Sequence, residues 1–173
     1  MDELSVLDQK YGAGKGPSSN HMFTPIYNDL LKDHKDDFET ILEIGKKPGL
    51  YMWRDYFPKS TIYGFLDEEE NFEEDRIIGL KVNQMKPLEI KRLDKTFDLI
   101  IDDGCHQPIP QLISFLSLWE KLKPNGLYIV EDVFPGNAQG IAAFSDCFDD
   151  CKVHHIHALT DCFVCFQKTL EPC

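Results

Sequence analysis

The 173-residue sequence predicts an α/β fold: a doubly wound sheet of about seven strands, mostly parallel, with an antiparallel C-terminal hairpin. Three observations carry this prediction. Short runs of Ile, Leu and Val recur between Pro and Gly, as in strands buried on both faces. Amphipathic segments with helical spacing alternate with those runs. The last two apolar runs, 152–159 and 161–168, are joined by a tight connection, which makes them a hairpin. A single domain over residues 1–173 is expected at this length, with 1–36 as an N-terminal entry segment and helix.

Residues 5–21 contain Lys10-Tyr11-Gly12-Ala13-Gly14-Lys15-Gly16-Pro17-Ser18-Ser19. A Gly-rich run with lysines can hold phosphate, but this one is not a G-x-x-x-x-G-K-[ST] loop and no strand precedes it. Taken alone it reads as a flexible entry segment. A helix beginning at Pro25 and running to Lys32 carries Ile26, Tyr27, Leu30 and Leu31 on one face. Thr40 to Gly45 is the first strand, followed by a turn, Lys46-Lys47-Pro48-Gly49. Met52, Trp53, Tyr56 and Phe57 then ride a short helix closed by Pro58. A strand, turn and helix with glycines is where backbone can approach a nucleotide-like cofactor.

Thr61 to Phe65 is the second strand, and the acidic run Asp67 to Asp75 reads as a solvated helical face. Arg76 to Val82 is the third. Asn83 and Gln84 close it with amides that suit an adenine edge, or serve simply as turn residues. Pro87 to Lys91 is a short helix. Phe97-Asp98-Leu99-Ile100-Ile101-Asp102-Asp103 and Gly126-Leu127-Tyr128-Ile129-Val130-Glu131-Asp132 are two further strands, each stopping in carboxylates. Between them Ile109 to Leu122 is amphipathic, so the three make a strand–helix–strand crossover. Gly140 to Phe148 is the last helix before the hairpin.

Ligands in open α/β sheets bind beyond the carboxyl ends of the strands, where Asp102, Asp103, His106, Glu131 and Asp132 fall. Neighbouring strand ends lie ~5 Å apart, so Asp103, Glu131 and Asp132 converge if these strands pair. That much like charge either gathers a cation or keeps some carboxyls protonated. Three carboxylates at one mouth suit a hard divalent ion such as Mg2+. Acids at strand ends also cap helices or face water, but the pairing of Asp-Gly-x-His with Glu-Asp favours a site.

The net charge of −12 argues against a polyanionic partner, because nucleic-acid binding draws on Lys and Arg. The start, Met1-Asp2-Glu3-Leu4, lacks the features of a signal peptide, and no run reaches membrane-spanning length. The expectation is therefore a cytoplasmic, reducing compartment with no membrane partner, where the six cysteines need not pair. Cys147, Cys151, Cys162 and Cys165, with His154, His155 and His157 nearby, raise a zinc site. Against it, Cys162 and Cys165 lie in a strand, where residues three apart point to opposite faces; small buried apolar groups are the preferred reading.

Together these segments resemble class I S-adenosylmethionine-dependent methyltransferases, with their Rossmann-like sheet. The resemblance is closest to the metal-dependent sugar O-methyltransferases of macrolide and rhamnosyl groups and to cephalosporin-hydroxylase-like proteins. It is carried by Lys10-Tyr11-Gly12 with Lys15-Gly16, Thr24-Pro25 with Tyr27, Leu42-Glu43-Ile44-Gly45 and Met52 to Pro58, then by Asp98 to His106 and Leu122 to Asp132. The resemblance implies methyl transfer from S-adenosylmethionine to a hydroxyl of a sugar or glycoside. It places Asp103, Glu131 and Asp132 on a divalent metal such as Mg2+, and His106 as general base beside Asp103. Tyr11, Glu43, Gly45, Asp67, Asn83, Gln84 and Asp102 fall on the cofactor side: Glu43 and Gly45 at its methionine and ribose, Asn83 and Gln84 at adenine, Asp102 at its ammonium. Relatives of this kind also assemble into homo-oligomers.

Three positions depart from the pattern, all on the cofactor side. The loop Lys46-Lys47-Pro48-Gly49 is about two residues short, Leu66 stands where an acid holds the ribose, and Asn83 replaces Asp. They motivate a rival expectation, a methyltransferase fold with altered cofactor binding that serves as a binding or assembly module. A third expectation keeps the metal for hydrolytic chemistry without the cofactor.

Overall fold

In a computed structural model, residues 1–19, 21–67, 70–158 and 162–170 are described. They fall in two compact units, Met1–Lys81 and Val82–Cys173.

The first unit begins with helix α1 (Glu3–Tyr11), where a flexible entry segment was expected. Asp2 caps it by accepting the Ser5 N–H at 2.9 Å, and Gly12 ends it in the left-handed conformation that glycine adopts without strain. Helix α2 (Phe23–Leu31) follows, then β1 (Thr40–Ile44), α3 (Lys47–Tyr56), β2 (Thr61–Leu66), β3 (Phe72–Glu74) and β4 (Ile77–Lys81). The strands lie in the order β3-β4-β2-β1. β1, β2 and β4 run parallel, Thr40 opposite Thr61 and Ile62 opposite Ile77.

The residues expected to form a turn after β1 are instead the first turn of α3, because Pro48 is pre-set for a helix start. Leu50, Met52, Trp53 and Tyr56 turn inward from α3. β2 leaves room for that helix at Gly64, where a Cβ would collide with the Leu50 side chain. Tyr27 of α2 meets Trp53 edge-on at 5.1 Å.

The described residues of the acidic run are not helical. Phe72–Glu74 pairs antiparallel with β4 through a two-residue turn, Asp75-Arg76, both at positive φ. Such left-handed turns match the twist of a hairpin. The Phe72 ring covers Gly79, so one aromatic in an acidic stretch suffices to anchor a strand. Glu68 and Glu69 of that run lie outside the described residues. Arg76 then donates to three carbonyls at the end of α3, those of Arg54, Phe57 and Ser60, at 2.9–3.0 Å.

The second unit holds α4 (Pro87–Lys91), β5 (Phe97–Asp102), α5 (Pro108–Leu118), β6 (Leu122–Val133), α6 (Ala138–Ala142), β7 (Cys151–Ala158) and β8 (Cys162–Lys168), with strand order β5-β6-β8-β7. β5 and β6 are parallel neighbours joined by α5, and β7 and β8 form the expected antiparallel hairpin. Leu159 and Asp161, assigned to that hairpin from sequence, lie outside the described residues. The helix expected over 140–148 is shorter: α6 tightens into a 3-10 turn at Ala143–Cys147. Likewise α5 ends at Leu118 and Leu122 already belongs to β6. With β3 added, the described residues hold eight strands rather than seven.

Phe115 of α5 is the centre of this unit's core, with ring contacts to Trp119, Tyr128, Phe144, Phe148 and Phe166 at 4.8–5.9 Å. Truncating a fully buried Phe removes both its transfer free energy and its packing. Phe115→Ala is expected to lower the unfolding free energy by about 3–5 kcal/mol, read from urea denaturation followed by circular dichroism.

Candidate metal and methyl-transfer site

β5 ends on two acids with different surroundings. Asp102 is fully buried, and Gln84 donates its Nε2 to both carboxylate oxygens, at 2.8 and 3.0 Å. Burial pushes its pKa up to about 7, against the bonds donated by Gly104 and Gln84. Asp103 is the next residue and half-exposed; His106 follows three later on the loop before α5.

β6 delivers the second acid by a backbone distortion. Alternation along a strand sends Glu131 and Asp132 to opposite faces. Pairing with β8 slips between Val130 and Val133, and Asp132 sits at φ 49°. Asp tolerates this left-handed conformation better than most residues. A bulge of this kind re-aims a side chain. Gln111 of α5, itself buried, donates to the Glu131 carbonyl at 3.1 Å and ties the bulge to the helix.

His106 Nε2 lies 3.3 Å from Asp103 Oδ1 and 3.4 Å from Asp132 Oδ2. One ligand atom from each of the three residues falls within 4.8 Å of the others. Among the described residues this is the one group of His, Cys, Asp and Glu side chains so arranged. The expected convergence of Asp103 and Asp132 is present, with His106 as the third member. Glu131 is buried beside them rather than in the trio, near enough to act electrostatically on the imidazole. The hydrogen bond to Asp103 raises the His106 pKa, burial opposes it, and Asp132, Asp103 and Glu131 add to the rise. Two carboxylate oxygens at this spacing fit a small divalent cation, leaving positions for oxygen ligands, with the imidazole nitrogen beside them.

The other expected cofactor residues have specific local partners. Asn83 accepts the Met85 N–H at 2.8 Å, forming a turn. Gln84, placed at adenine by the resemblance, directs its amide inward to Asp102 and to the Cys105 N–H at 2.8 Å. Asp102, placed at the ammonium, is buried behind that amide.

In the first unit, Tyr11 donates to Asp55 and accepts from Arg54 at 3.2 Å, joining α1 to α3. Asp67 is exposed just after β2, whereas Leu66 is buried. Gly45 follows β1 and donates its N–H to Phe65 O at 3.2 Å. Glu43 is fully buried, and Lys15 Nζ, equally buried, reaches its Oε1 at 3.1 Å.

The Gly-rich segment is therefore neither a phosphate loop nor slack chain: it carries Lys15 inward. Asp8 accepts the Lys15 N–H at 2.7 Å, and the Lys15 carbonyl accepts the N–H groups of Phe23 and Thr24. Only glycine serves at Gly49, where a Cβ would collide with the Glu43 carboxylate. Sequence reasoning missed Lys15 and Gln111 as supports. A lysine between glycines and a Gln within an apolar helical stretch were the available signals. Cys162 and Cys165 are buried within β8, and burial raises the Cys165 thiol pKa well above its usual range.

The fold is the Rossmann-like methyltransferase fold. A solved methyltransferase, MycE from the mycinamycin biosynthetic pathway in complex with Mg and SAH, superposes on 97% of this chain and 55% of its own, with TM-score 0.80 and 24% identity. The fibrillarin pre-rRNA processing protein of Methanococcus jannaschii matches at TM-score 0.61 and 14% identity, over 79% of this chain and 69% of its own. In sequence the resemblance to sugar O-methyltransferases holds. The chain is 31% identical to mycinamicin VI 2''-O-methyltransferase of Micromonospora griseorubida over 157 residues, which is 83% of this chain and 39% of that protein. It is also 31% identical to demethylmacrocin O-methyltransferase of Streptomyces fradiae, over 83% of this chain and 40% of that one. The chain thus spans about two-fifths the length of these curated relatives. No protein-family model matches it.

Breaking a buried ion pair leaves one charge uncompensated. Lys15→Met is expected to destabilise the protein by about 3–5 kcal/mol. Adding Glu43→Leu recovers most of that loss in urea unfolding, since an apolar pair avoids both desolvation penalties.

Proposed function

We propose that this chain is a metal-dependent, S-adenosylmethionine-dependent O-methyltransferase acting on a hydroxyl of a sugar or glycoside. The observation that carries the reading is the approach of Asp103, His106 and Asp132 at the ends of adjacent parallel strands, within a methyltransferase fold. Similarity to enzymes named for O-methylation of glycosylated natural products supports the acceptor class. The solved neighbour with Mg and SAH supports the cofactor pair. In this reading residues 1–173 act as one methyltransferase-like domain. The setting is cytoplasmic; among the described residues no helix is long and apolar enough to cross a membrane.

Asp103 and Asp132 would hold the cation, with Glu131 adding negative charge from its buried position. A divalent ion bound there supplies Lewis acidity that lowers the pKa of a sugar hydroxyl. His106 Nε2, 3.3 Å from Asp103 Oδ1 and 3.4 Å from Asp132 Oδ2, would take that hydroxyl proton. Bound S-adenosylmethionine would supply the methyl group to the freed oxygen, its sulfur keeping the electron pair of the S–C bond. Glu43, Gly45 and Asp67 in the first unit, and Asn83 and Asp102 in the second, are the proposed cofactor residues. For Glu43, burial against Lys15 and Gly49 fixes a carboxylate at the end of the first strand, where cofactors of such folds bind.

The helix start that replaces the glycine loop favours one alternative, a fold that binds partners without the cofactor. Calorimetry with S-adenosylmethionine separates the two, since a binding module gives no heat at millimolar cofactor. For the enzyme, His106→Ala is expected to lower turnover by about 100-fold or more while cofactor affinity stays unchanged. Chelation by EDTA abolishes turnover, and added Mg2+ restores it. Turnover indifferent to chelators would overturn the proposal.

A further inference from the structure

Asp103 and His106 stand on a loop whose backbone is fixed from behind by one amide. The Gln84 side chain is 7% exposed and is used at both ends. Its Nε2 donates to Asp102 Oδ1 and Oδ2 at 2.8 and 3.0 Å, and its Oε1 accepts the Cys105 N–H at 2.8 Å. Asp102 Oδ1 also accepts the Gly104 N–H at 3.3 Å. The Cys105 carbonyl in turn accepts from Gln107, the residue before α5, at 2.7 Å. Asp102, Gly104 and Cys105 bracket Asp103 and immediately precede His106. One carboxamide therefore sets the directions of both side chains at the site without touching either.

The amide type matters. Asp102 needs a donor and Cys105 needs an acceptor, and a carboxamide supplies both from one rigid plane. A methionine there supplies neither, so the buried Asp102 carboxyl loses both bonds from the amide, whereas a carboxylate supplies only the acceptor.

We propose that Gln84 is a positioning residue for the cation site: it locks the Asp103–His106 loop so that Asp103 and His106 face Asp132 at ion-binding distance. This rests on the metal reading above and deepens it. Groups that orient metal ligands from behind set affinity, and their loss costs roughly 10- to 100-fold.

The test measures Mn2+ affinity by electron paramagnetic resonance, together with hydrogen exchange of the Cys105 amide, on the full chain. Gln84→Met is expected to weaken Mn2+ binding by about 10- to 100-fold and to speed Cys105 exchange, with the circular dichroism spectrum retained. A second variant guards against simple misfolding. In the double exchange Gln84→Glu with Asp102→Asn, the new carboxylate still accepts from Cys105 and the new amide donates back to it. That variant is expected to regain near-wild-type Mn2+ affinity, which a role in bulk packing alone does not predict.

Unchanged Mn2+ affinity in a folded Gln84→Met protein would overturn the inference, as would a folded double exchange that binds as weakly as Gln84→Met. Absence of Mn2+ binding to the unaltered protein would overturn the metal reading and this residue's task toward a cation. Cys105 exchange in that event still separates the two failures, being fast in Gln84→Met only if the clamp is real.

Discussion

The second unit is organised around electrostatic crowding at the tips of two parallel strands. Asp103 and Asp132 are brought to either side of one imidazole nitrogen, with Glu131 buried close by. Like charges this close repel unless a cation or a proton lies between them. In the structure the imidazole takes that place, and its raised pKa is the same attraction seen from the histidine. The left-handed backbone at Asp132 makes the arrangement possible, because a regular strand turns Glu131 and Asp132 away from each other. Strained backbone of this sort persists where surrounding contacts over-determine it. Here those contacts are the Gln111 bond to the Glu131 carbonyl and the pairing of Val133 with Cys162.

Both units bury charge close to strand ends and hold it with a dedicated partner. Glu43 has Lys15, and Asp102 has Gln84. Burying a carboxylate is costly unless it is paired or hydrogen-bonded, so such pairs are poor choices for stability alone. They make sense as fixtures. Each holds backbone in place: that of Lys15, whose N–H bonds to Asp8, and that of residues 103–106 through Gln84. The glycines at positions 16 and 49 fit the same scheme, because a Cβ there would press on Asp8 or Glu43.

Much of this was legible in the sequence because periodicity reports burial. The runs around Leu42, Ile62, Ile100 and Ile129 are strands in the structure, and the Asp-Gly-x-His and Glu-Asp pairs lie together. Composition misled where one side chain outweighs its neighbours. A run of acids hid β3, which depends on Phe72 lying over Gly79 and on two left-handed residues after it. The turn after β1 was obscured because Pro48 serves a helix start as well as a turn. The partners of Lys15 and Gln84 were beyond reach for another reason. Whether a polar side chain faces solvent, ligand or core depends on residues far away in sequence, here Glu43 for one and Asp102 and Cys105 for the other. The bulge at Asp132 leaves no compositional trace either; Glu131, expected among the metal ligands, is buried and lies outside the Asp103–His106–Asp132 trio.

The most direct test of the account is a crystal structure grown with Mn2+ and recorded at a wavelength where manganese scatters anomalously. An anomalous peak in contact with both Asp103 and Asp132, beside the His106 ring, is the expected result. A well-ordered site with His106 still lying between the two acids and no peak there, at saturating Mn2+, would contradict it.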